Sequence, residues 1–138
     1  MLVFTVTLFS AATVQLQLDS NDNIEIIVSV HDDYIDTRKT RLTESFLITP
    51  GEIIPQWRPK RSTDIRSADL ESLLSTEAEI YLVGTGRDQY FPRALELQSF
   101  IRVGKAVDFM NSRAACHTYN LLASEGRKVA AAIIIESE

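Results

Sequence analysis

Cysteine and histidine are scarce in this 138-residue chain, which has one cysteine, Cys116, and two histidines, His31 and His117. A single cysteine cannot form a disulfide within the chain, so nothing in the sequence requires an oxidising compartment. One cysteine and two histidines without ligand spacing do not predict a metal site. No cofactor is implied, and we expect a cytoplasmic protein.

Positive charge is missing from the start of the chain, where no lysine or arginine precedes Arg38. A secretory signal peptide needs a positively charged n-region and a mitochondrial transit peptide is rich in arginine, so neither is predicted, although residues 2–14 are moderately apolar. The same stretch is too short and too rich in threonine to span a bilayer. We expect residues 1–13 to form an extra strand or a loose arm.

The remaining composition is that of an acidic globular protein. The formal net charge of −5 favours solubility and argues against unspecific binding of nucleic acid. An apolar share of 45% can fill one core. The chain contains no repeat and no linker long enough to separate two units, so we expect a single domain over residues 1–138. Its oligomeric state is not specified by any of these features.

The first half of the chain predicts short strands joined by tight turns. Val14, Leu16 and Leu18 alternate with polar residues, which is the period of a half-buried strand. Turn residues follow this segment and recur along the chain, and their close spacing predicts an antiparallel meander. The further strands are expected at 24–30, 34–37 and 45–49. Prolines at 50, 55 and 59 make the stretch that follows extended or irregular.

The second half changes to the helical period. A helix is predicted at 68–74, and strands at 80–83, 106–109 and 129–135 alternate with helices opened by Pro92 and by Asn111 or Ser112. In the helix that Pro92 opens, Ala94, Leu97 and Ile101 are expected to line one apolar face, with Phe100 beside them. The alternating order predicts parallel strands with right-handed crossovers. The predicted fold is therefore α/β, a single domain with a mixed central sheet, in which an N-terminal antiparallel β-meander precedes a β-α-β-α-β unit.

Four blocks of the second half resemble, in order, the sequence of a known family. They are Leu82-Val83-Gly84-Thr85-Gly86-Arg87, Val107-Asp108-Phe109-Met110, Ala114-Ala115-Cys116-His117-Thr118-Tyr119-Asn120 and Glu125-Gly126-Arg127-Lys128-Val129-Ala130-Ala131-Ala132. The family consists of small proteins of largely uncharacterised function. It includes bacterial and archaeal members, the adipogenesis-associated proteins and a mitochondrial assembly factor for respiratory complex I.

This resemblance implies a single α/β domain on a mixed sheet. It implies no agreed enzymatic activity, so no catalytic residue is transferred to this chain. Asn111 stands where the family usually has an aspartate, and His117 stands where it usually has an arginine. Both differences reduce charge near the edge of the sheet where a ligand would bind.

The turn Gly84-Thr85-Gly86-Arg87 is the first candidate site. Ligands of open α/β sheets bind beyond the carboxyl ends of the strands, where helix N-termini favour an anion. The turn lacks the third glycine of a dinucleotide-binding loop and the Gly-Lys-Thr of a P-loop. It predicts either a tight structural turn or a small-anion site formed by backbone N–H groups and Arg87. Asn111 is expected beside it.

Cys116 and Asn120 complete the predicted pocket, which comprises Gly84, Thr85, Gly86, Arg87, Asn111, Cys116 and Asn120. Near a helix N-terminus the dipole can stabilise the thiolate of Cys116. His117, however, lies about 100° around the helix from that thiol, so a small buried apolar residue is the alternative interpretation. Asn120, if buried, is expected to brace the Gly84–Gly86 loop.

A second candidate is a partner surface formed by Trp57, Arg58, Lys60 and Arg61, the densest positive patch in the chain. Tryptophan and arginine are typical hot-spot residues of protein interfaces. The alternatives are that the charged residues form a solvated loop and that Trp57 folds back onto the core.

Two hypotheses about function follow. The first is a non-catalytic interaction or assembly protein with a protein partner, without nucleic acid and without a membrane span. The second is a small-anion or metabolite-binding protein, or an unrecognised enzyme, that uses the strand-end edge near Gly84–Arg87 and Asn111. A concave pocket that joins Gly86, Arg87, Asn111 and Asn120 with unsatisfied polar groups would favour the second hypothesis, and a filled edge would favour the first.

Overall fold

A computed structural model of the chain describes residues 23–136. The arm predicted at 1–13 and the strand predicted at 14–18 lie outside these residues. The strands are β1 (Ile27–Val30), β2 (Ile35–Thr37), β3 (Arg41–Leu42), β4 (Phe46–Thr49), β5 (Glu52–Ile54), β6 (Ile80–Gly84), β7 (Asp108–Met110) and β8 (Val129–Ile133). The α-helices are α1 (Ser67–Leu74), α2 (Gln98–Val103) and α3 (Ser112–Ser124), and short 3-10 helices lie at Ser62–Asp64 and Ala94–Leu97. Between residues 23 and 136, none of the helices is long and apolar enough to cross a membrane.

Two sheets organise these elements. The larger has the order β5-β4-β8-β6-β7, with β4 antiparallel to both neighbours and β6 parallel to β7 and β8. The smaller is the antiparallel sheet β1-β2-β3. The predicted mixed sheet and β-α-β-α-β order are confirmed. The N-terminal meander is divided between the two sheets, since β4 and β5 join the larger one.

The two crossovers of the β-α-β-α-β unit run in opposite directions along the sheet. The first leads from β6 to its neighbour β7, and the second leads from β7 back past β6 to β8. Right-handed crossovers in opposite directions place their helices on opposite faces of the sheet. One face is accordingly covered by α3 and the small sheet, and the other packs against α1 and α2. Strand β8 is buried along its whole length, as its continuous apolar sequence predicts.

The helix after Pro92 differs from the prediction. Its first turn is the 3-10 helix Ala94–Leu97, and α2 proper begins only at Gln98. Phe100 faces the core and contacts the Tyr81 ring edge-on, with 5.1 Å between the ring centroids, whereas Ile101 is 65% exposed. Ala94 is exposed as well, so the apolar face predicted for Ala94, Leu97 and Ile101 was wrong. The turn before α2 is also bound to α1 by a long-range contact, since the buried carboxylate of Glu96 accepts the N–H of Ser67 at 2.9 Å.

Candidate functional site

Ser112, the first residue of α3, joins the carboxyl ends of the parallel strands. Its backbone N–H donates to the Gly86 carbonyl at 2.7 Å. Its hydroxyl accepts the N–H of Gly86 at 2.9 Å and donates to the Ile134 carbonyl at 2.6 Å. Asn111 caps the helix by accepting the N–H of Ala114 at 2.8 Å. The polar groups predicted to face a ligand thus bond to the chain itself.

Gly84 and Thr85 are buried parts of this junction. A Cβ at Gly84 would lie 2.9 Å from the Cα of Ser112, so only glycine lets β6 and α3 approach so closely. The Thr85 hydroxyl donates within the turn, 2.6 Å from the Asp88 carbonyl and 3.1 Å from that of Met110. Both residues therefore act in packing and in closing the turn.

The carboxylate of Glu136 occupies the position that an external anion would take at the turn. It accepts the N–H of Arg87 at 2.9 Å and lies so close to Gly86 that a Cβ there would be 2.6 Å from its Cδ. Gly86 also has a φ of 96°, which favours glycine. Sequence reasoning missed Glu136, although a carboxylate that directly follows a buried strand at the ligand edge is a signal that could have found it.

A cavity of about 190 Å³ remains at this edge, and we call it the strand-end cavity. Gly86, Arg87 and Asn111 of the predicted pocket line it, together with His31 and Arg113, which sequence reasoning did not include. Cys116 and Asn120 are not among its lining residues.

Asn120 braces the small sheet instead of the Gly84–Gly86 loop. Its side chain accepts the N–H of Ile27 at 3.0 Å and donates to the Ile27 carbonyl at 2.7 Å. Eight residues separate Asn120 from Ser112, which is about 12 Å along a helix, so Asn120 is too far from the edge to reach the loop. The neighbouring Tyr119 hydroxyl donates to the Glu25 carbonyl at 2.7 Å. The two side chains together hold α3 against the start of β1.

Cys116 is fully buried in the core between the large sheet and α3. Burial raises the pKa of its thiol to about 12, and the nearby charge of Arg113 lowers it only in part. The adjacent His117 is exposed. The buried apolar interpretation of Cys116 therefore fits the structure, because a thiol with this pKa is not a nucleophile at neutral pH.

We expect thiol reagents to modify Cys116 in the native protein at least about 100-fold more slowly than in the urea-unfolded chain. The unfolded thiol ionises near pH 9, whereas the folded one keeps its proton up to about pH 12. The unfolded state therefore loses a proton that the folded state retains, and stability is expected to fall as the pH rises from 9 towards 12. Equal labelling rates for the native and unfolded protein would show that this account of the thiol is wrong.

One arrangement on the hairpin β1–β2 has the composition of a nucleophilic triad but not its geometry. The Nε2 of His31 lies 3.2 Å from the Ser29 hydroxyl, yet that hydroxyl donates to the Asp36 carboxylate at 3.3 Å. Arg41 binds the same carboxylate at 2.8 and 3.2 Å and lowers the pKa of Asp36. In a catalytic triad the acid orients the histidine and the histidine accepts the proton of the serine. Here the Asp36 carboxylate accepts hydrogen bonds from Arg41 and Ser29 instead of orienting His31, so the cluster does not activate a nucleophile.

Internal hydrogen bonds hold the residues of the predicted partner surface in place. Trp57 is buried, with its indole N–H donating to the Asp69 carbonyl at 3.1 Å, so the interpretation as an exposed anchor was wrong. Arg58 binds both carboxylate oxygens of Asp69, at 3.0 and 2.7 Å, and also the Asp64 carbonyl. Hydrogen bonding to Asp69 raises the pKa of Arg58. Lys60 and Arg61 stay exposed, while their backbone N–H groups donate to the Asp64 carboxylate.

A larger cavity lies between the two sheets. It measures about 720 Å³, is open to solvent and is lined on one side by Arg41 and Leu42 of β3 and on the other by Glu52 and Ile53 of β5. Strands β3 and β5 are terminal strands of their sheets within residues 23–136. Two sheet edges thus border one opening.

A second open cavity, of about 500 Å³, continues this opening towards the loop that follows β5. Both cavities are lined by Thr43, Glu44 and Gln56. The second is also lined by three residues of the predicted partner surface, Trp57, Arg58 and Lys60. We call the two together the edge groove. Sequence reasoning named these three residues but missed the groove itself, because the groove depends on the separation of β1–β3 into their own sheet.

Comparisons with known proteins give the context of this geometry. The family described as protein of unknown function (DUF498/DUF598) matches residues 27–134. The human NADH dehydrogenase (ubiquinone) 1 alpha subcomplex assembly factor 3 is 33% identical over 110 residues, which are 73% of this chain and 60% of that protein. A "13 kDa major membrane protein" of Francisella tularensis subsp. holarctica is 44% identical over 70 residues, which are 51% of this chain and 57% of that protein.

The chain thus spans 57% to 60% of the length of these two relatives. Among solved structures, the crystal structure of a protein from Bordetella parapertussis superimposes with a TM-score of 0.76 at 28% identity. This similarity covers 82% of the present chain and 97% of the other.

Proposed function

The chain belongs to the DUF498/DUF598 family of proteins of unknown function, and from this premise we propose that it is a single-domain, non-catalytic interaction protein that binds an extended segment of a partner protein in the edge groove. The observation that carries the proposal is that two sheet edges, those of β3 and β5, border one open groove. Similarity to an assembly factor supports a role in holding another protein.

A sheet edge recognises extended chain through its backbone. The outer strand of a sheet offers a row of N–H and C=O groups, which an added strand can bond. Addition of a partner strand is a common mode of peptide recognition, in which the backbone bonds supply affinity and alternate side chains supply specificity. The edge groove presents this chemistry from β5 on one wall and from β3 on the other.

The register of the β4–β5 hairpin identifies Ile53 as the central contact. Thr49 and Glu52 flank the two-residue turn and form the pair next to it. In such hairpins the pair that closes the turn is hydrogen-bonded, and hydrogen-bonded pairs alternate with non-hydrogen-bonded ones along the strands. Ile48 and Ile53 are the next pair. The N–H and C=O of Ile53 are therefore expected to point away from β4 and into the groove.

Two of the positive side chains around the groove are matched within the protein, and the carboxylates of Glu44 and Glu52 also line it. Lys39 pairs with Glu25 at 2.7 Å, and Arg41 pairs with Asp36 at 2.8 Å. Internal pairing of this kind favours recognition of backbone and apolar side chains over recognition of one sign of charge. Lys60, in the second part of the groove, adds a positive group that can select an acidic residue of the partner.

The alternative hypothesis, a small anion in the strand-end cavity, has weaker support. The cavity brings together Arg87, Asn111, Arg113 and His31. However, the backbone N–H groups that would hold the anion already bond to Ser112 and Glu136. A ligand would have to displace an internal carboxylate.

Substitution at Ile53 tests the proposed function through the backbone. Proline at this position removes the N–H that faces the groove, and it is tolerated at a sheet edge. We expect Ile53→Pro to reduce recovery of the partner by tenfold or more in quantitative affinity purification with the tagged chain, because an edge hydrogen bond is lost and the proline ring obstructs the incoming strand.

Ile53→Val is the matched control, since it keeps the N–H and most of the side chain. It is expected to recover the partner as the wild type does. Thermal unfolding is used to check that both variants are folded. If folded Ile53→Pro recovers the same proteins at the same level, binding by strand addition at β5 is excluded.

A further inference from the structure

Both walls of the edge groove run in the same direction along it. On one wall, strand β3 lines the first cavity and Ser45, farther along the chain, lines the second. On the other wall, strand β5 lines the first cavity and Lys60, again farther along the chain, lines the second. A partner strand that lies between the walls is therefore either antiparallel to both of them or parallel to both.

Antiparallel addition is the more stable of these two arrangements. The hydrogen bonds of a parallel pair are slanted, and parallel pairing is slightly less stable per residue. An antiparallel partner segment begins beside Lys60 in the second cavity and ends beside Glu52 in the first. The direction of the walls thus relates the order of residues in the partner to their positions in the groove.

Three charged side chains of the groove are not matched within the described part of the chain. Between residues 23 and 136, none of Glu44, Glu52 and Lys60 takes part in an ion pair, and all three are exposed. By contrast, Arg58, which also lines the second cavity, pairs with Asp69 at 2.7 Å. The three unmatched groups are therefore available to charges of a partner.

These unmatched charges follow one another along the groove. Glu52 lines the first cavity, Glu44 lines both cavities, and Lys60 lines the second. After internal pairing, the first cavity presents two negative side chains and the second presents one positive side chain. Opposite charges of a partner are attracted at each position, whereas like charges are repelled, so the arrangement can discriminate between partners.

We infer that the partner segment binds antiparallel to β5 and carries an acidic residue that is followed in its sequence by a basic one, an inference that rests on the proposed function. The acidic side chain pairs with Lys60, and the lysine or arginine pairs with Glu44 and Glu52. A segment with the reverse order would bring like charges together at both ends of the groove. The groove therefore selects an order of charges and not one net charge.

Selection from a displayed peptide library tests this order. The library presents random peptides of about ten residues, the usual upper length of a strand, to the full chain. We expect the enriched peptides to carry aspartate or glutamate before lysine or arginine more often than the reverse. Trp57 is the only tryptophan of the chain and lines the second cavity, so its fluorescence reports binding of enriched peptides that lack tryptophan.

The most enriched peptide is then compared with one in which its acidic and basic residues are exchanged. The exchanged peptide is expected to bind about tenfold more weakly at low salt, since each exposed ion pair changes affinity by up to about fivefold. Raising the salt concentration to about 0.5 M should reduce this difference, because screening weakens interactions between exposed charges.

The variant Glu44→Lys/Glu52→Lys/Lys60→Glu reverses the three charges at exposed positions. It is expected to bind the exchanged peptide about tenfold more tightly than the selected one. Glu125→Lys is the matched control, because it raises the net charge by the same amount as the triple variant. Glu125 is exposed at the end of α3 and lines neither cavity. This control should keep the preference of the wild type, and thermal unfolding is used to check that both variants are folded.

Ile53→Pro separates this inference from the proposed function. If no peptide is enriched, or if folded Ile53→Pro binds the enriched peptides as tightly as the wild type does, strand addition itself is contradicted. If Ile53→Pro loses the peptides but they lack the expected order, or the exchanged peptide binds the wild type equally well, the proposed function stands and this inference is wrong. The same preference in the wild type and in the charge-reversed variant would also overturn it.

Discussion

Replacing Tyr119 by alanine is expected to lower the free energy of unfolding by about 4 kcal/mol, in the range measured for truncation of large buried aromatic residues. Tyr119 is fully buried between α3, the large sheet and the small sheet. Its hydroxyl donates to the Glu25 carbonyl at 2.7 Å, so the alanine variant also leaves that carbonyl without its donor. Burial raises the pKa of Tyr119, which keeps the hydroxyl in the form that donates.

Tyr119→Phe separates the hydrogen bond from the packing. It keeps the ring and is expected to cost only about 1 kcal/mol, the usual net contribution of one hydrogen bond. Urea denaturation measures both changes. If Tyr119→Ala and Tyr119→Phe were destabilised equally, the ring would contribute nothing to the junction between α3 and β1, and the described packing would be wrong.

Replacing Gly84 by alanine is expected to lower the free energy of unfolding by about 3 kcal/mol, the upper part of the range for overpacking a core. The added methyl group would meet the Cα of Ser112 at 2.9 Å, its Oγ at 3.0 Å and the Cβ of Ala115 at 3.1 Å. Because the nearest atom belongs to the backbone, α3 must shift as a unit. That shift also loosens the two hydrogen bonds of the Ser112 hydroxyl.

Gly51→Ala is the control for replacing glycine by alanine at a position with room for the added methyl group. A Cβ at Gly51 would meet only the Thr49 Oγ1, at 3.9 Å, so its effect is expected to stay within about 1 kcal/mol. Thermal or urea denaturation compares the two variants. Equal stabilities for Gly84→Ala and Gly51→Ala would contradict the close contact between β6 and α3.

The features that sequence reasoning predicted are those with local causes. The continuous apolar run of β8, the Asn111 cap of α3 and the glycines that end helices are all visible in short windows. Together they were sufficient to predict a mixed sheet with a β-α-β-α-β unit. The resemblance of the second half to a family agreed with this prediction.

The features that sequence reasoning missed depend on contacts between distant residues. Asn120 bonds to Ile27, 93 residues away, and Glu136 bonds to the N–H of Arg87, 49 residues away. The turn before α2 is likewise bound to α1 through Glu96 and Ser67, which are 29 residues apart. No local pattern specifies which distant group satisfies a buried polar atom. The edge groove was missed for the same reason, since it requires the relative placement of two sheets.

These corrections move the functional interpretation from one edge of the molecule to another. At the strand-end edge around Gly84–Arg87 and Asn111, the backbone N–H groups of the turn already bond to Ser112 and to the carboxylate of Glu136, and a cavity of about 190 Å³ remains. Open surface remains in the edge groove beside β5.

Amide hydrogen exchange at β5 tests the central claim most directly. The partner recovered by affinity purification is added to the purified chain, and exchange is followed residue by residue. Strand addition predicts that the amide of Ile53 exchanges at least about tenfold more slowly in the complex, because it acquires a hydrogen bond to the added strand. Unchanged exchange at Glu52–Ile54, with protection confined to other parts of the surface, would contradict the account.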